Sequence, residues 1–510
     1  MFLRKFLLFA IIIVIYTIPI ALAGCASPQV QAQVQSGKSP ESATLVKPAQ
    51  HAQVKNIILF IGDGMSLENE RALSLYLYGN PTGLIWHDWP YRTWVSTWDI
   101  DSYNRHARKA GASRYSPGFD PKIGYDPERG GVAPWPIDEN GDRKYFLTAL
   151  PTFDGGSGTY AIPATDSASA ATAIATGMKT NEGNISWAAG DPADGRLETI
   201  AELMRAKNGS AIGIVSTVEF DHATPAAFVA HSTSRGNVGK ISHEIITETK
   251  PEVVIGSGHP DWISGYISSS DLKSLRNSDE YVLVERVRGE NGGENLLKAA
   301  ERAKEQEKKL FGLFGGSNGC LDPPKAHDSP GNPGFDVEEE NPSLAEATDA
   351  ALEVLSADPD GFLLMVEQGD INWANHYNNY HWMIGSMWDL DSAVKAAVEF
   401  VDRPGDSVDS SNTIIIVTSD HCNGYLRLSQ TNPPGVGDLP EMNGKKYHYS
   451  YPGGEVSYGC TQHTNELVSL YVFGSGYEKF TEYEGSWYPG TEIIDNSQIF
   501  RMLCESAGID

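Results

Sequence analysis

Six apolar runs of strand length recur along this chain, and they constrain its fold more than any other feature of the sequence. Several are continuous stretches of Val, Ile and Leu, which is typical of strands buried on both faces of a parallel sheet. The runs are Asn56–Ile61, Ala211–Ser216, Glu252–Ile255, Phe362–Val366, Thr413–Val417 and Val468–Phe473. Helical patterns lie between them, at Leu197–Lys207, Asn295–Lys308, Ser343–Leu355 and Ile384–Val401. This alternation predicts an α/β fold with a mostly parallel central sheet and helices on both faces.

The stretch from residue 67 to residue 160 departs from this pattern. It carries few strand signals, and Gly, Pro and Asp are dense from 110 to 143. Its many aromatic residues include Trp86, Trp89, Tyr91, Trp94, Trp98 and Tyr103. We therefore expect an aromatic-rich insertion over one edge of the sheet, which forms a lid, a dimer surface or simply a packed excursion of the chain.

The composition excludes several classes of protein. Hydrophobic residues make up 40% of the 510 residues and aromatic residues 10%, which rules out a disordered or fibrous chain. The formal net charge of −27 argues against a nucleic-acid-binding role, since phosphate backbones are bound by basic surfaces. An acidic chain that binds anions needs a metal ion or a focused arginine to reverse the local field.

The N-terminus has the pattern of an export signal. Arg4 and Lys5 precede an almost unbroken apolar run over residues 6–23. The sequence Leu-Ala-Gly-Cys at residues 22–25 resembles a bacterial lipobox, in which the cysteine is acylated and becomes the new N-terminus. The alternative is an ordinary signal peptide with an incidental cysteine.

This pattern divides the chain into three parts. We predict a lipoprotein signal peptide over 1–24, a flexible tether over 25–53 that begins at lipidated Cys25, and one folded domain over 54–510. The protein is then expected to be exported and held by its lipid to a membrane, facing the periplasm or the cell exterior.

Residues of the types that bind metals follow the carboxyl ends of several predicted strands. In open α/β sheets these ends lie along one edge. The candidates are Asp63, Glu219, Asp221, His222, Thr224, Glu367, Asp370, Asn372, His376, Asp420, His421 and His463. A lone Asp after a strand is more often a helix cap, so the argument depends on the whole set. Asp, Glu and His without Cys suit zinc together with a harder ion such as magnesium. So many buried acids also need cations, because like charges repel one another in an interior.

A candidate nucleophile lies in a run of small residues at 165–173. The run predicts a helix that begins near Ser167. A serine at a helix N-terminus meets free amide hydrogens and the positive end of the helix dipole, both of which favour a phosphate group there. The plainer interpretation is a tightly packed helix of small residues, which explains the alanines but not the Asp-Ser start.

These segments resemble the motifs of the alkaline phosphatases, in the order of that family and over most of the chain from about residue 54 to 510. The matching segments are Ile61–Met65, Asp166–Ala168, Gly177–Thr180, His222–Ala227, His231, Ser234–Arg235, Val366–His376, Asp420–His421 and His463–Thr464. Such a combination is far more specific than any single motif. The resemblance implies an alkaline phosphatase-like fold, a catalytic domain over 54–510, and metal-dependent hydrolysis of small phosphate monoesters. Members of the family are often homodimers, which is expected here by analogy alone.

The resemblance also implies a role for each matched residue. Ser167 is expected to attack phosphorus and become phosphoserine, and Arg235 to bind two non-bridging phosphate oxygens with its planar fork. The family holds two Zn²⁺ and one Mg²⁺ per chain, and a metal pair stabilises the attacking and leaving oxygens. The implied ligands are Asp63, Asp420 and His421 for one zinc, Asn372, His376 and His463 for the other, and Asp63, Thr224 and Glu367 for magnesium.

The chain departs from the family at a few of these positions. The family usually has Asp where this chain has Asn372, and an uncharged amide is expected to bind zinc more weakly. Asp370, two residues earlier, is the alternative ligand. His222 stands where some bacterial members have Asp, and Trp373 where some have Lys, so we expect both residues beside the metal ligands rather than among them.

The cysteines leave their pairing open. Export implies an oxidising compartment, in which Cys320, Cys422, Cys460 and Cys504 can pair. Cys422 follows His421 directly and Cys460 lies three residues before His463, so these two cysteines either bridge or remain buried thiols.

Two other functions compete with a phosphomonoesterase. A related hydrolase of diesters or sulfates is disfavoured, because residues 167–171 lack the sulfatase Cys/Ser-x-Pro-x-Arg pattern and diesterases usually lack the phosphate arginine. A non-catalytic lipoprotein that binds phosphate or metal is favoured only by Asn372. The presence of Ser167, Arg235 and the other metal positions argues against it, since activity needs the whole constellation.

Overall fold

The computed structural model describes residues 54–116, 118–123, 164–316, 320–405, 407–445 and 449–509. The predicted signal peptide, Cys25 and the tether lie outside the described residues, as do residue 117 and residues 124–160 of the 67–160 stretch. No helix within the described ranges is both long enough and apolar enough to cross a membrane.

Within the described residues, a ten-stranded sheet forms the centre of the fold. In spatial order its strands are Ile493–Asp495 (β16), Tyr91–Ser96 (β2), Val468–Gly474 (β15), Thr413–Thr418 (β10), Asn56–Gly62 (β1), Phe362–Gln368 (β9), Ala211–Glu219 (β3), Val253–Ser257 (β4), Lys309–Leu313 (β6) and Tyr281–Glu285 (β5). Neighbouring strands are parallel except at β15, which runs antiparallel to both β10 and β2. All six predicted apolar runs are strands of this sheet, which confirms the mostly parallel architecture.

Short strands form three two-stranded ladders outside the central sheet. They are Lys325–Ala326 (β7), Phe335–Asp336 (β8), Cys422–Asn423 (β11), Leu426–Leu428 (β12), Val456–Tyr458 (β13) and His463–Thr464 (β14). β11 pairs with β14 in antiparallel fashion, so that Asn423 lies opposite His463. This small ladder fixes the chain after His421 against the chain that carries His463.

The α-helices are Leu67–Tyr78 (α1), Ile100–Ala110 (α2), Ser167–Thr176 (α3), Ile200–Asn208 (α4), Ala223–Val229 (α5), Val238–Glu244 (α6), Ser269–Arg276 (α7), Gly292–Glu305 (α8), Leu344–Leu355 (α9), Asp370–His376 (α10), Tyr380–Val401 (α11) and Asn496–Ala507 (α12). Two 3-10 helices span Ile85–Asp88 and Tyr477–Tyr483, and a π-helix spans Ile245–Thr249. The predicted start of α9 is confirmed: Ser343 Oγ accepts from the Glu346 amide at 3.2 Å, and the Glu346 carboxylate accepts from the Ser343 amide at 2.8 Å.

Helices cover both faces of the sheet, as the continuous apolar strands predict. In β1, Ile58 and Phe60 pack with α1, α8, α9 and α11, whereas Ile57, Leu59 and Ile61 pack with α3, α4, α5 and α12. Every residue of β1 is buried, because alternate side chains enter opposite apolar layers.

The expectation of an insertion over 67–160 needs correction for residues 91–96. These residues are β2, which pairs with β15 and β16 inside the central sheet. The aromatic residues around it are packed: Trp98 lies against Tyr103 with ring centroids 5.2 Å apart, and both are almost fully buried with Tyr488. This part of the stretch therefore completes the sheet and its aromatic cover.

The four cysteines of the folded domain are buried thiols, and no disulfide joins them in the structure. Cys422 Sγ contacts the Met65 and Leu467 carbonyl oxygens at 3.8 and 3.7 Å, whereas Cys460 Sγ contacts the Gln462 carbonyl oxygen at 3.3 Å. The two thiols thus face different parts of the backbone, and the bridged alternative for Cys422 and Cys460 is not adopted.

Candidate metal and phosphate site

The site begins where β1 ends. Asp63 follows the strand directly, and Gly64 turns the chain with φ +68°, a conformation that favours glycine. A Cβ on Gly64 would lie 2.7 Å from Asn372 Oδ1, so only glycine lets the two segments approach this closely. The Gly64 amide donates to Asp420 Oδ1 at 3.0 Å, which joins the ends of β1 and β10.

Asp63, Asp420 and His421 form the first group of potential metal ligands. One ligand atom from each lies within 4.8 Å of the others, and all three residues are buried. His421 Nε2 lies 3.2 Å from Asp420 Oδ2 and 3.6 Å from Asp63 Oδ1. Two carboxylates and one imidazole suit a cation such as zinc.

A second group shares Asp63 and adds His222 and Glu367, again within 4.8 Å. Glu367 is the next-to-last residue of β9, which is buried throughout, and its Oε2 accepts a 2.5 Å hydrogen bond from Ser216 on β3. Thr224, in the first turn of α5, is fully buried, and within the described chain its hydroxyl has no hydrogen-bond partner. The carboxylate oxygens here suit a harder cation.

Three imidazoles lie along the rim, the edge of the sheet formed by the carboxyl ends of its parallel strands. One of them is His421 of the first group. The rings of His421 and His463 stack with centroids 3.6 Å apart, and the His376 ring lies 5.1 Å from His463. The Nδ1 atoms of His376 and His463 contact the backbone carbonyls of Thr461 (2.7 Å) and Thr165 (2.9 Å). A carbonyl oxygen only accepts, so both Nδ1 atoms carry hydrogen and both Nε2 lone pairs are left for a metal.

Asn372 and Asp370 lie on different sides of α10. Residues two apart on a helix point about 200° apart, so only one of them can face the rim. Asn372 lies against Gly64, and its Oδ1 accepts a 2.5 Å hydrogen bond from Asn423 Nδ2. Asp370 lies beside Thr217 and Cys320, where burial raises its pKa to about 8.

Three other predicted candidates lie outside both ligand groups. Glu219 hydrogen-bonds with Tyr266, and Asp221 lies beside the same tyrosine, behind the rim. Trp373 is half-buried with its ring centroid 6.4 Å from that of His376.

The buried ligand atoms lack hydrogen-bond partners among the described residues. The unsatisfied atoms are both carboxylate oxygens of Asp63, Oδ2 of Asp420 and Oε1 of Glu367. Such groups are costly to bury unless a cation pairs with them. The site is therefore built for positive charge that the protein itself does not supply.

The pKa shifts agree with that conclusion. Burial, with repulsion from Asp420 and Glu367, raises the pKa of Asp63 well above its ordinary value. Burial likewise raises the pKa of Glu367 to about 7 and that of Asp420 to about 6, and it lowers the pKa of His421 to about 3. A bound cation reverses this balance for the carboxylates, and the neutral imidazole is already the form that ligates metals.

Ser167 is the first residue of α3, as its small-residue run predicts. Its Oγ lies 3.1 Å from His421 Nε2, which places the hydroxyl against the first ligand group. The preceding Asp166 caps the helix by accepting from the Ser169 amide at 3.0 Å. The serine thus stands at a helix N-terminus and beside a potential metal at once.

Arg235 reaches the same rim from the chain after α5. Its Nη1 donates to Asp166 Oδ2 at 3.1 Å, and its Nη2 donates to His222 Nε2 at 3.1 Å. Burial and the Arg235 charge lower the pKa of His222 to about 3, so that its Nε2 accepts. Although burial alone would raise it, the Arg235 charge keeps the pKa of Asp166 below its ordinary value.

Sequence reasoning missed two residues of this site. Ser216 binds Glu367, and Asn423 binds Asn372 through both the side-chain and backbone oxygens, at 2.5 and 3.1 Å. Asn423 lies two residues after His421, a spacing that alone carries no signal for an uncharged amide.

A mostly parallel α/β sheet whose strand ends carry these acids, imidazoles and a helix-terminal serine defines a metal-dependent hydrolase. A family model described as alkaline phosphatase matches residues 148–471. Alkaline phosphatase H of Pseudomonas aeruginosa is 31% identical over 345 residues, which cover 61% of this chain and 68% of that protein. Alkaline phosphatase of Escherichia coli is 31% identical over 348 residues, covering 61% and 69%.

Solved structures share the fold. Thermus thermophilus alkaline phosphatase superposes with a TM-score of 0.58 at 19% identity, covering 91% of this chain and 93% of that one. The alkaline phosphatase of the Antarctic bacterium TAB5 gives 0.57 at 21% identity, covering 90% and 100%. A variant of that enzyme is described with Mg bound in its M3 site.

This chain belongs to the alkaline phosphatase family. It is a metal-dependent enzyme that hydrolyses phosphate monoesters.

Proposed function

We propose that hydrolysis proceeds through a phosphoserine intermediate on Ser167. The observation that carries this proposal is the 3.1 Å contact between Ser167 Oγ and His421 Nε2 at the N-terminus of α3. Oγ attacks phosphorus, the phosphorus–oxygen bond to the alcohol breaks, and the alcohol leaves with a proton. Water then cleaves the bond between Oγ and phosphorus, which releases inorganic phosphate and restores the serine.

The cations in this proposal are two Zn²⁺ and one Mg²⁺ per chain. The first ligand group would hold one zinc, and Asn372, His376 and His463 the other. Asp63, Thr224 and Glu367 would hold magnesium. When bound, the cations supply positive charge at the attacking and leaving oxygens. The unsatisfied buried oxygens of Asp63, Asp420 and Glu367 support this assignment.

Arg235 is the proposed phosphate-binding side chain. Its side chain is 31% exposed and its guanidinium is fixed by Asp166 and His222, which leaves the rest of the planar fork for two phosphate oxygens. The free amide hydrogens at the start of α3 favour the same anion.

The phosphoserine step is tested by trapping the covalent intermediate. Metal-loaded protein is incubated with a chromogenic phosphate monoester, quenched in acid and analysed by peptide mass spectrometry. We expect phosphate on Ser167 and no turnover by Ser167→Ala, while Ser169→Ala keeps the modification. Phosphate on another residue, or turnover by Ser167→Ala, would contradict the proposal. Metal analysis of the same samples counts zinc and magnesium per chain.

The remaining proposals rest on the sequence and on the family resemblance. We propose that Cys25 is lipidated after export, so that the enzyme acts on small phosphate monoesters at a membrane surface, as a homodimer. Cys25→Ser should abolish labelling by a radioactive fatty acid and release the protein from membranes. Labelling that persists would contradict the assignment of Cys25 as the lipidated residue. Sedimentation of the tether-free protein as a monomer would contradict the proposed homodimer.

A further inference from the structure

A chain of hydrogen bonds leads from Arg235 away from the rim to α2. Asp166 accepts from Arg235 through Oδ2, and its Oδ1 lies 2.6 Å from Ser169 Oγ. The same Ser169 hydroxyl lies 3.0 Å from Oδ2 of Asp99, the residue that caps α2. Asp99 and Ser169 are each only 1% exposed, so bulk water does not compete for these contacts.

One hydroxyl hydrogen cannot serve two carboxylates. Ser169 has a single O–H, and its 2.6 Å contact with Asp166 Oδ1 needs a hydrogen between the two oxygens. Asp166 is the ionised member, since Oδ1 also accepts from the Ser169 and Gly183 amides and Oδ2 faces a guanidinium. The hydrogen in the contact between Asp99 and Ser169 must therefore come from Asp99.

The surroundings of Asp99 strengthen its hold on a proton. Burial raises its pKa to about 7, and Asp166 and Glu182 add to the rise while hydrogen bonds from Ser102 oppose it. The neighbouring cation, Lys179, is already paired with Asp495 at 3.0 Å.

We propose that Asp99 is a positioning residue for phosphate binding, which acts through Ser169 and Asp166 on Arg235. Protonated Asp99 donates to Ser169, Ser169 donates to Asp166, and Asp166 fixes the guanidinium. The proposal rests on the proposed role of Arg235 as the phosphate-binding side chain. It gives the segment that follows β2 a part in the site, although none of its residues reaches the rim.

Substitutions at Asp99 separate this role from helix capping. Asp99 also accepts from the Ser102 amide at 2.6 Å, and Asn caps helices as well as Asp does. The amide of Asp99→Asn can still donate to Ser169, so we expect the inhibition constant for inorganic phosphate to stay within about two-fold. Asp99→Ala and Ser169→Ala should each raise it about five- to ten-fold, the scale of one lost hydrogen bond in a buried network. Ser169→Ala leaves the cap of α2 intact.

A double-mutant cycle with Arg235 completes the test on the metal-loaded enzyme. In the Arg235→Ala background, Asp99→Ala should raise the inhibition constant no further, because the chain of hydrogen bonds no longer reaches a side chain that binds phosphate. If Arg235→Ala alone changes nothing, the proposed role of Arg235 fails. If Arg235→Ala weakens phosphate binding but Asp99→Ala does not, or if Asp99→Asn is as impaired as Asp99→Ala, the positioning proposal is overturned. Should Asp99→Ala fail to fold, Ser169→Ala replaces it in the cycle.

Discussion

The imidazole of His463 stacks on that of His421 with ring centroids 3.6 Å apart and planes 26° from parallel. Two protonated rings would repel each other at this separation. Burial is the main cause that lowers the pKa of both; the charge of His376 adds to it for His421, and those of His421 and His376 add to it for His463. Burial therefore keeps these two candidate metal ligands in their neutral form at the rim.

Metal removal should destabilise the protein in a pH-dependent way. In the folded state the pKa values of Glu367 and Asp420 are raised to about 7 and about 6, from ordinary values of 4.5 and 3.8. A carboxyl group whose pKa is raised in the folded state costs stability above its unfolded pKa, so the metal-free protein should lose stability as the pH rises from about 3.8 to about 7. We expect EDTA to lower Tm by about 5 °C or more at pH 8, and by much less at pH 5.

Thermal melts with and without EDTA at both pH values test this prediction, and added zinc and magnesium should restore Tm. An EDTA effect of equal size at pH 5 and pH 8 would show that these carboxylates are not what the cations stabilise.

Asn372→Asp should tighten zinc binding. The introduced carboxylate keeps an acceptor for Asn423 Nδ2 and adds charge at the Asn372 position, so zinc affinity should rise at least about tenfold. Competition with a chromogenic chelator measures the affinity directly. Asn432→Asp, at an exposed position, is the matched control for added charge. Equal affinities for the two variants would remove residue 372 from the ligand set.

Arg235→Ala should mainly weaken phosphate binding. A charge-assisted pair is worth about 1.5–3 kcal/mol, so the inhibition constant for inorganic phosphate should rise about 10- to 100-fold. Arg235→Lys should recover only part of the affinity, because an ammonium lacks the planar fork. Inhibition kinetics measure both variants, with Arg276→Ala as the control, because the Arg276 side chain on α7 is exposed. An unchanged constant in Arg235→Ala would exclude a direct contact with phosphate.

His231 should stabilise the fold below neutral pH. Burial alone would lower its pKa, but Glu202 and Glu244 outweigh burial and raise the pKa from 6.5 to about 9. A raised histidine pKa gives stability that is fully present below pH 6.5 and is lost as the pH rises through 9. His231→Gln should therefore lower Tm by about 2 °C or more at pH 6 and have a smaller effect at pH 9.5.

Melting curves of wild type and variant across this range supply the test. His243→Gln serves as the control, since His243 pairs with Asp271 but its side chain is 56% exposed, and exposed pairs contribute little. A deficit in His231→Gln that is the same at both pH values would mean that charge is not the cause.

Local sequence signals predicted the strands that carry the site but not all that surrounds them. Continuous apolar runs such as residues 56–61 need no partner to be recognised, and the polar residues after them fall at one rim by geometry. β2 lacks such a signal: its Arg92 is exposed, and its partners β15 and β16 come near the end of the chain. Its place in the sheet depends on pairing with β15 and β16, which lie far from β2 in the sequence.

The hydrogen-bond contacts within the site could not be predicted from the sequence either. The choice between Asn372 and Asp370 depends on the rotation of α10, which the spacing of the two residues leaves undecided. Asn423 and Asp99 act through hydrogen bonds to residues far away in sequence, Asn372 and Ser169. Polar residues of this kind are common in turns and caps, so their types alone indicate only local roles.

The order of the strands also determines how much of the chain must be synthesised before the site can form. β1, which delivers Asp63, pairs only with β9 and β10, whose partners for Asn56 are Phe362 and Thr413. His463 comes later still, in β14, five residues before antiparallel β15 begins, rather than at the end of a parallel strand. During synthesis, the strand before Asp63 therefore has no strand to pair with until most of the sequence has been made. Contacts between residues this far apart in sequence form slowly. The full set of candidate ligands, from Asp63 to His463, is therefore present only once the chain has been made through residue 463.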